Sequence, residues 1–185
     1  MPSLALAIGL AACAGLRAWL PLLLTGLLAR FEYLELGSAF QFLKADRALA
    51  LFAAATLIEL LGDKLPAVDH ALDAIGTVLR PAAGALLAAS VLWQIHDPLL
   101  ALALGLIVGA PAALVPHAAK SALRAVSTTL TGGIANPLLS LLEDAIALGL
   151  FVLAVLVPML LAALVALTAV LLLRRLRPRA PAPNA

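Results

Sequence analysis

Leu, Ala and Val fill long runs of this chain, each interrupted by only a few polar residues. The first run extends from about Ser3 to Ala29 and contains Arg17 and Pro21; the second covers about Ala48 to Gly62, the third about Ala74 to Gln94, and the fourth Leu99 to about Val115. The last reaches from Pro137 to Leu173. A helix needs about 20 apolar residues to cross about 30 Å of hydrocarbon. Several runs reach that length, and with few aromatic or Thr alternations they favour helices over a barrel. The second run is short for a crossing. The last is too long for one and reads as a short entering helix or half-span continuing into a final membrane helix. The pattern predicts an all-α polytopic membrane protein with about five or six membrane segments, some of them broken or re-entrant. Residues 1–176 form a single membrane domain, and the Pro-Ala-rich residues 177–185 a disordered cytoplasmic tail.

The interruptions carry the chemistry. A guanidinium left free at mid-membrane costs several kcal/mol, so Arg17 is expected to face the bundle and find an anion or a wetted cavity. Pro21 lacks a backbone N–H and should kink or open the helix nearby. Between Arg30 and Arg47, Phe31, Tyr33, Phe40 and Phe42 alternate with charge, which predicts a short surface helix or loop at the headgroup level. Asp97-Pro98 signals a helix start. Small residues at Ala82, Ala83, Gly84, Ala88 and Ala89, and at Gly105 and Gly109, allow close helix packing.

Polar groups concentrate between His117 and Asp144. On a helix Lys120, Arg124, Ser127, Thr128 and Thr131 share one face. Gly132, Gly133 and Asn136-Pro137 then break it, and Glu143-Asp144 open the next apolar run. Earlier in the chain Thr56, Glu59 and Asp63 share a face, placing two carboxylates where they can accept from Arg17. Asp73, Thr77 and Arg80 lie together at the start of the third run. Lys64, Asp69, His70 and Asp73 crowd the preceding turn, but their spacing matches neither an EF-hand nor a zinc pattern, and solvated loop charge explains most of it.

Composition narrows the class. The chain has 185 residues and is 64% hydrophobic and only 12% charged, against about 45 to 50% apolar in soluble domains; its mean hydropathy is +1.13. The net charge of +2 does not point to nucleic acid, because Arg174, Arg175, Arg177 and Arg179 cluster after the last apolar run. By the positive-inside rule they hold the C-terminus in the cytoplasm. Cys13 is the sole cysteine, which excludes an intramolecular disulfide and a Cys-based zinc site. The first run lacks a basic leader and contains Arg17, so it reads as a retained span.

Leu16-Arg17-Ala18 with Thr25-Gly26 echoes Leu123-Arg124-Ala125 with Thr131-Gly132, and an acidic helix follows each. A duplicated transporter-like fold accounts for the echo, as does chance in a Leu/Ala-rich chain. The stretches AGLRAWLPLL, ELLGDKLPAVDHALD with IGTVLRPAAGAL, and KSALRAVSTTLTGGIANPLLSLLED resemble the family of small bacterial membrane proteins known as DUF4126, over nearly the full chain. The resemblance implies a compact multi-span protein, in an inner membrane if bacterial, and it implies no activity.

Three functions fit the residues. In a small transporter or channel for an ion or small polar solute, Arg17, Lys120 and Arg124 supply positive charge. Glu59, Asp63, Glu143 and Asp144 supply counter-charge or proton-coupling sites, and Ser127, Thr128, Thr131 and Asn136 supply neutral hydrogen bonds. A scaffold or assembly protein, with its charges neutralising one another, is the second. A lipid-headgroup enzyme is the third, disfavoured because Arg80-Pro81 lacks the lysine and the Ser-Gly-His of the phosphatidic-acid phosphatase pattern. Asp69 and Asp73 likewise lack the rest of the CDP-alcohol transferase pattern. No cofactor is expected; the partners are the lipid bilayer, a transported solute, and a second copy if the chain is a homo-oligomer.

Overall fold

A computed structural model describes residues 2–64 and 66–176. Among these there are six α-helices, one 3-10 helix and no strand: α1 (Pro2–Leu16), α2 (Trp19–Arg30), the 3-10 helix Ser38–Lys44, α3 (Asp46–Gly62), α4 (Pro66–Ser90), α5 (Pro98–Thr131) and α6 (Asn136–Leu176). Three stretches, Ala71–Ser90, Pro98–Thr131 and Asn136–Pro158, are long and apolar enough to cross a membrane, and α1 and α2 contribute shorter apolar helices.

α1 is the hub. It packs against α4, α5 and α6, and Ala7, Leu10, Ala11, Cys13 and Ala14 on it are fully buried. Leu4 and Ile8 remain exposed on its outer side, and the alanines let three neighbours approach at once. The most extensive pairing is between antiparallel α4 and α5. A Cβ on Gly84 would lie 2.8 Å from the Gly109 carbonyl oxygen and 2.7 Å from the Ala113 Cβ, so the two backbones meet at the paired glycines. The turn between them ends at Asp97, whose carboxylate accepts from the backbone N–H of Leu99 at 2.8 Å and of Leu100 at 3.3 Å.

The first apolar run opens near Pro21, as its sequence suggests, into two helices. The opening falls at Arg17-Ala18, four residues before Pro21. This is where the proline ring blocks the i−4 carbonyl and leaves it without an N–H partner. From this opening α2 runs back, and Gly37 in the following loop donates its N–H to the Ser90 carbonyl at 2.8 Å. One end of the bundle therefore holds the 3-10 helix and the α4–α5 turn. The other holds the α1–α2 junction and the end of α3. The segment read as interfacial does form a short helix, with Phe31, Tyr33 and Phe42 exposed but Phe40 and Leu43 buried.

One boundary differs from the pattern. The fourth run and the polar stripe are one continuous helix, α5, passing through Pro111 and Pro116. The last run is one continuous helix, α6, which begins at Asn136 and passes through Pro158. Proline is tolerated inside long apolar helices when neighbouring groups satisfy the freed backbone. The break between the two lies where glycine accepts a left-handed backbone, at Gly132 (φ 62°) and Gly133 (φ 87°). The side chains of Asp69 and His70, those from Arg174 onward, and the tail 177–185 lie outside the described residues.

Candidate functional site

Every long helix contributes charge to one layer at the α1–α2 junction. Arg17 directly follows α1, Glu59 comes from the last turn of α3 and Asp63 caps its end, and Asp73 and Arg80 come from α4. Lys120 and Arg124 come from α5, and Glu143 and Asp144 from α6. Arg17, Asp63, Arg80 and Lys120 are almost wholly enclosed, and Glu59, Arg124 and Glu143 are buried.

Asp63 is the centre. A single carboxylate oxygen, Oδ2, receives Lys120 Nζ at 3.2 Å and Arg124 Nη2 at 3.2 Å, and Arg17 Nη1 as well. Its other oxygen, Oδ1, is buried without a hydrogen-bond partner. Arg17 reaches α6 through its second nitrogen, which donates to Ser140 Oγ at 2.9 Å and pairs with Asp144. Arg124 grips Glu143 at two points, Nε to Oε1 at 3.0 Å and Nη2 to Oε2 at 2.8 Å, while Lys120 approaches the same Oε2 at 3.2 Å. Such charges are tolerable away from water only when paired and hydrogen-bonded in this way.

A second set surrounds Arg80. Its Nη1 donates to Asp73 Oδ1 at 3.2 Å and contacts His117 Nδ1 at 2.6 Å, and because a guanidinium has no acceptor, that ring nitrogen is the acceptor. Glu59 lies 4.0 Å from Arg80 Nη2, but its carboxylate is spent mainly on backbone: Ala18 N–H donates to Oε1 at 3.1 Å and Trp19 N–H to Oε2 at 3.3 Å. Among the described residues, four cations thus face five carboxylates in one layer.

Beside the layer a groove of about 530 Å³ opens between α4 and α5, lined by Asp73, Thr77, Ser121, Arg124, Thr128 and Asn136 among others. It offers hydroxyls, a carboxamide and one charge of each sign. Asp73 and Arg124 belong to both groove and layer, with Oδ2 and Nη1 3.9 Å apart.

The family model described as "Domain of unknown function (DUF4126)" matches residues 4–178. The chain belongs to the DUF4126 family. No curated protein and no solved structure matches it. In this DUF4126 chain the predicted residues fall into three groups. Arg17, Glu59, Asp63, Lys120, Arg124, Glu143 and Asp144 meet in the layer. Thr128 and Asn136 line the groove, where Asn136 Nδ2 donates to Thr128 Oγ1 at 3.1 Å, and Ser127 Oγ is buried without a partner. Thr131 is the exception: it is exposed in the last turn of α5, where its hydroxyl donates to the Ser127 carbonyl at 2.7 Å and accepts from Ala135 N–H at 3.3 Å. It shapes the helix end instead of the site, because the stripe drifts off the buried face once the helix runs past its neighbours.

Arg80, Asp73, His117 and Ser140 are members that the stripe did not announce. Asp73 and Arg80 are seven apart on one helix face, His117 is three before Lys120, and Ser140 is four before Asp144, so helical spacing held the signal. The two Leu-Arg-Ala stretches of the DUF4126 chain differ locally. Arg17 sits at a helix end, whereas Arg124 lies within α5 and the break comes only at Gly132.

Proposed function

We propose that the chain is a small membrane transporter for an ion or small polar solute, which enters by the α4–α5 groove and is handled at the ionic layer. The observation that carries this reading is that Asp73 and Arg124 line the groove and also belong to the enclosed network. A solute that competes for either side chain perturbs pairings shared by five helices. Those pairings are exchangeable: Lys120 lies within 4 Å of Asp63, Asp73 and Glu143, and Arg124 of the same three. A layer with several near-equivalent partners has more than one arrangement of similar energy, as alternating access requires.

The outer surface supports a bilayer setting. Leu99, Ile107, Val115, Leu123 and Leu130 are exposed along α5, and its 34 residues rise about 50 Å, beyond the roughly 30 Å hydrocarbon core. In our reading all six α-helices pass between the aromatic end and the ionic layer, with α1, α2 and α3 crossing a thinned or indented bilayer. The ionic layer then lies near the face opposite Trp93 and Tyr33.

The test is solute flux in liposomes, screened over monovalent cations and small anions. Wild type should move one of them; Arg124→Ala should fall to the protein-free rate, and Arg124→Lys, which keeps charge but loses the two-point grip on Glu143, should fall partway. Unchanged flux in the Arg17→Ala/Arg124→Ala double variant overturns the reading. A non-catalytic scaffold is the second reading, favoured by the mutual pairing of Arg17, Asp63 and Lys120. Under it the same variants change stability alone.

A further inference from the structure

The start of α2 has an unusual cap. Helix N-termini leave their first N–H groups unsatisfied, and the ordinary remedy is a Ser, Thr, Asp or Asn side chain at the capping position. Here that position is Ala18, which offers none. Pro21 removes one further donor. The N–H groups of Ala18 and Trp19 are satisfied by the carboxylate of Glu59, brought from the last turn of α3. A carboxylate from a separate helix is thus held at the positive end of α2 as a free anion would be.

A second observation points to the same place. A cavity of about 50 Å³ lies directly against Ala18, Trp19, Glu59, Gly76 and Arg80, several times the roughly 10 to 15 Å³ that one water needs. Arg80 is almost wholly buried there, and its Nε has no hydrogen-bond partner. Gly76 lets the guanidinium lie against α4 at the cavity wall, since a Cβ on it would stand 3.0 Å from the Arg80 guanidinium carbon. Two peptide N–H groups and an incompletely satisfied guanidinium make the spot electropositive. The remaining walls, including Ile58 and Leu79, are apolar and leave no room for a bulky or doubly charged ion.

We infer that the N-terminus of α2, together with Arg80, is a binding site for a small monovalent anion of the size of chloride or formate, and that Glu59 is its tethered occupant. An anion arriving from solution takes the two N–H groups when the Glu59 carboxylate swings off them. In the functional sense this rests on the transport reading above, for which it names the solute class and the side chain that exchanges with it. As a binding site it stands separately.

The experiment is anion rescue of purified full-length protein in detergent, read as the thermal unfolding midpoint. Glu59→Ala should unfold at lower temperature than wild type. Formate or chloride should restore it saturably, by roughly 5 to 10 °C when the site is filled to about 100-fold over its Kd. Gluconate and sulfate at matched ionic strength should not, and wild type should respond equally to all four salts. Glu59→Gln, whose neutral amide holds the N–H groups less firmly, is measured in parallel and should show a smaller rescue with the same anion preference; the absence of that preference in both variants overturns the inference. A response that follows ionic strength alone, without regard to anion size, overturns the inference. Rescue without formate or chloride flux in liposomes upholds the anion site and defeats these anions as the transported solute, leaving the transport reading to the cation arms of the flux screen. Flux without rescue upholds transport and overturns the anion site.

Discussion

At the aromatic end of the bundle Arg30 pairs with Asp46 while 45% and 84% of their side chains remain exposed. At the opposite end Arg17 pairs with Asp63 and neither side chain has any exposure. The residue types are the same, but their surroundings give opposite energetics. Water and salt already solvate the first pair, so its formation changes little. The second has no solvent to fall back on, and removing one partner leaves the other charged and enclosed. The aromatic end is thus joined by loops and backbone hydrogen bonds, whereas the ionic layer ties together helices distant in sequence.

The largest effect should come from Asp63. In Asp63→Ala, Arg17, Lys120 and Arg124 lose the oxygen they share, and removing a buried partner costs about 3 to 5 kcal/mol. For a chain of this length that is a fall on the order of 10 °C in unfolding midpoint, measured in detergent. Asp63→Asn should recover part of it, since an amide oxygen still accepts. If Asp63→Ala unfolds no lower than Asp46→Ala, the contrast between the two ends is wrong.

Much of that layer was legible beforehand, for a simple reason. Charge inside an apolar run must be paired, so Arg17, Glu59, Asp63, Lys120, Arg124, Glu143 and Asp144 could be gathered without knowing any distance. Helical spacing likewise put Lys120 and Arg124 on one face. Partner choice was not legible. Glu59, offered as an acceptor for Arg17, instead caps the backbone at Ala18 and Trp19, because the helix opening moved upstream of Pro21 and exposed two amides there. Continuity was misread where the fourth run was ended at about Val115, since a proline marks a weak point without deciding whether the helix breaks there. The α4–α5 groove was invisible for the same kind of reason: it depends on how far apart two helices sit at Asp73 and Arg124, which the distant glycines Gly84 and Gly109 help to set.

Those glycines give an intermediate test that separates packing from charge. Gly109→Val would drive a side chain into the α4 backbone at Gly84, and overpacking of this kind costs about 1 to 3 kcal/mol. The loss should be the same at low and high salt, because no ion pair is touched. A salt-dependent loss would mean that helix spacing and the ionic layer are coupled, and the two ends could not then be treated as independent.

The smallest effect is expected at Arg30. Arg30→Ala should change stability by no more than about 1 kcal/mol, and only at low ionic strength. At about 1 M salt the Debye length shrinks to about 3 Å, which screens an exposed pair and leaves an enclosed one largely unaffected. The informative measurement is therefore the salt dependence of the difference between variant and wild type. For Arg30→Ala it should vanish as salt rises. For Arg17→Ala, which leaves Asp63 to Lys120 and Arg124 and takes an ion-pair partner from Asp144 and a donor from Ser140, it should stay nearly constant. Equal salt slopes for the two arginines would mean that solvent ions reach the layer as freely as the surface, and burial would then not be what distinguishes the two ends.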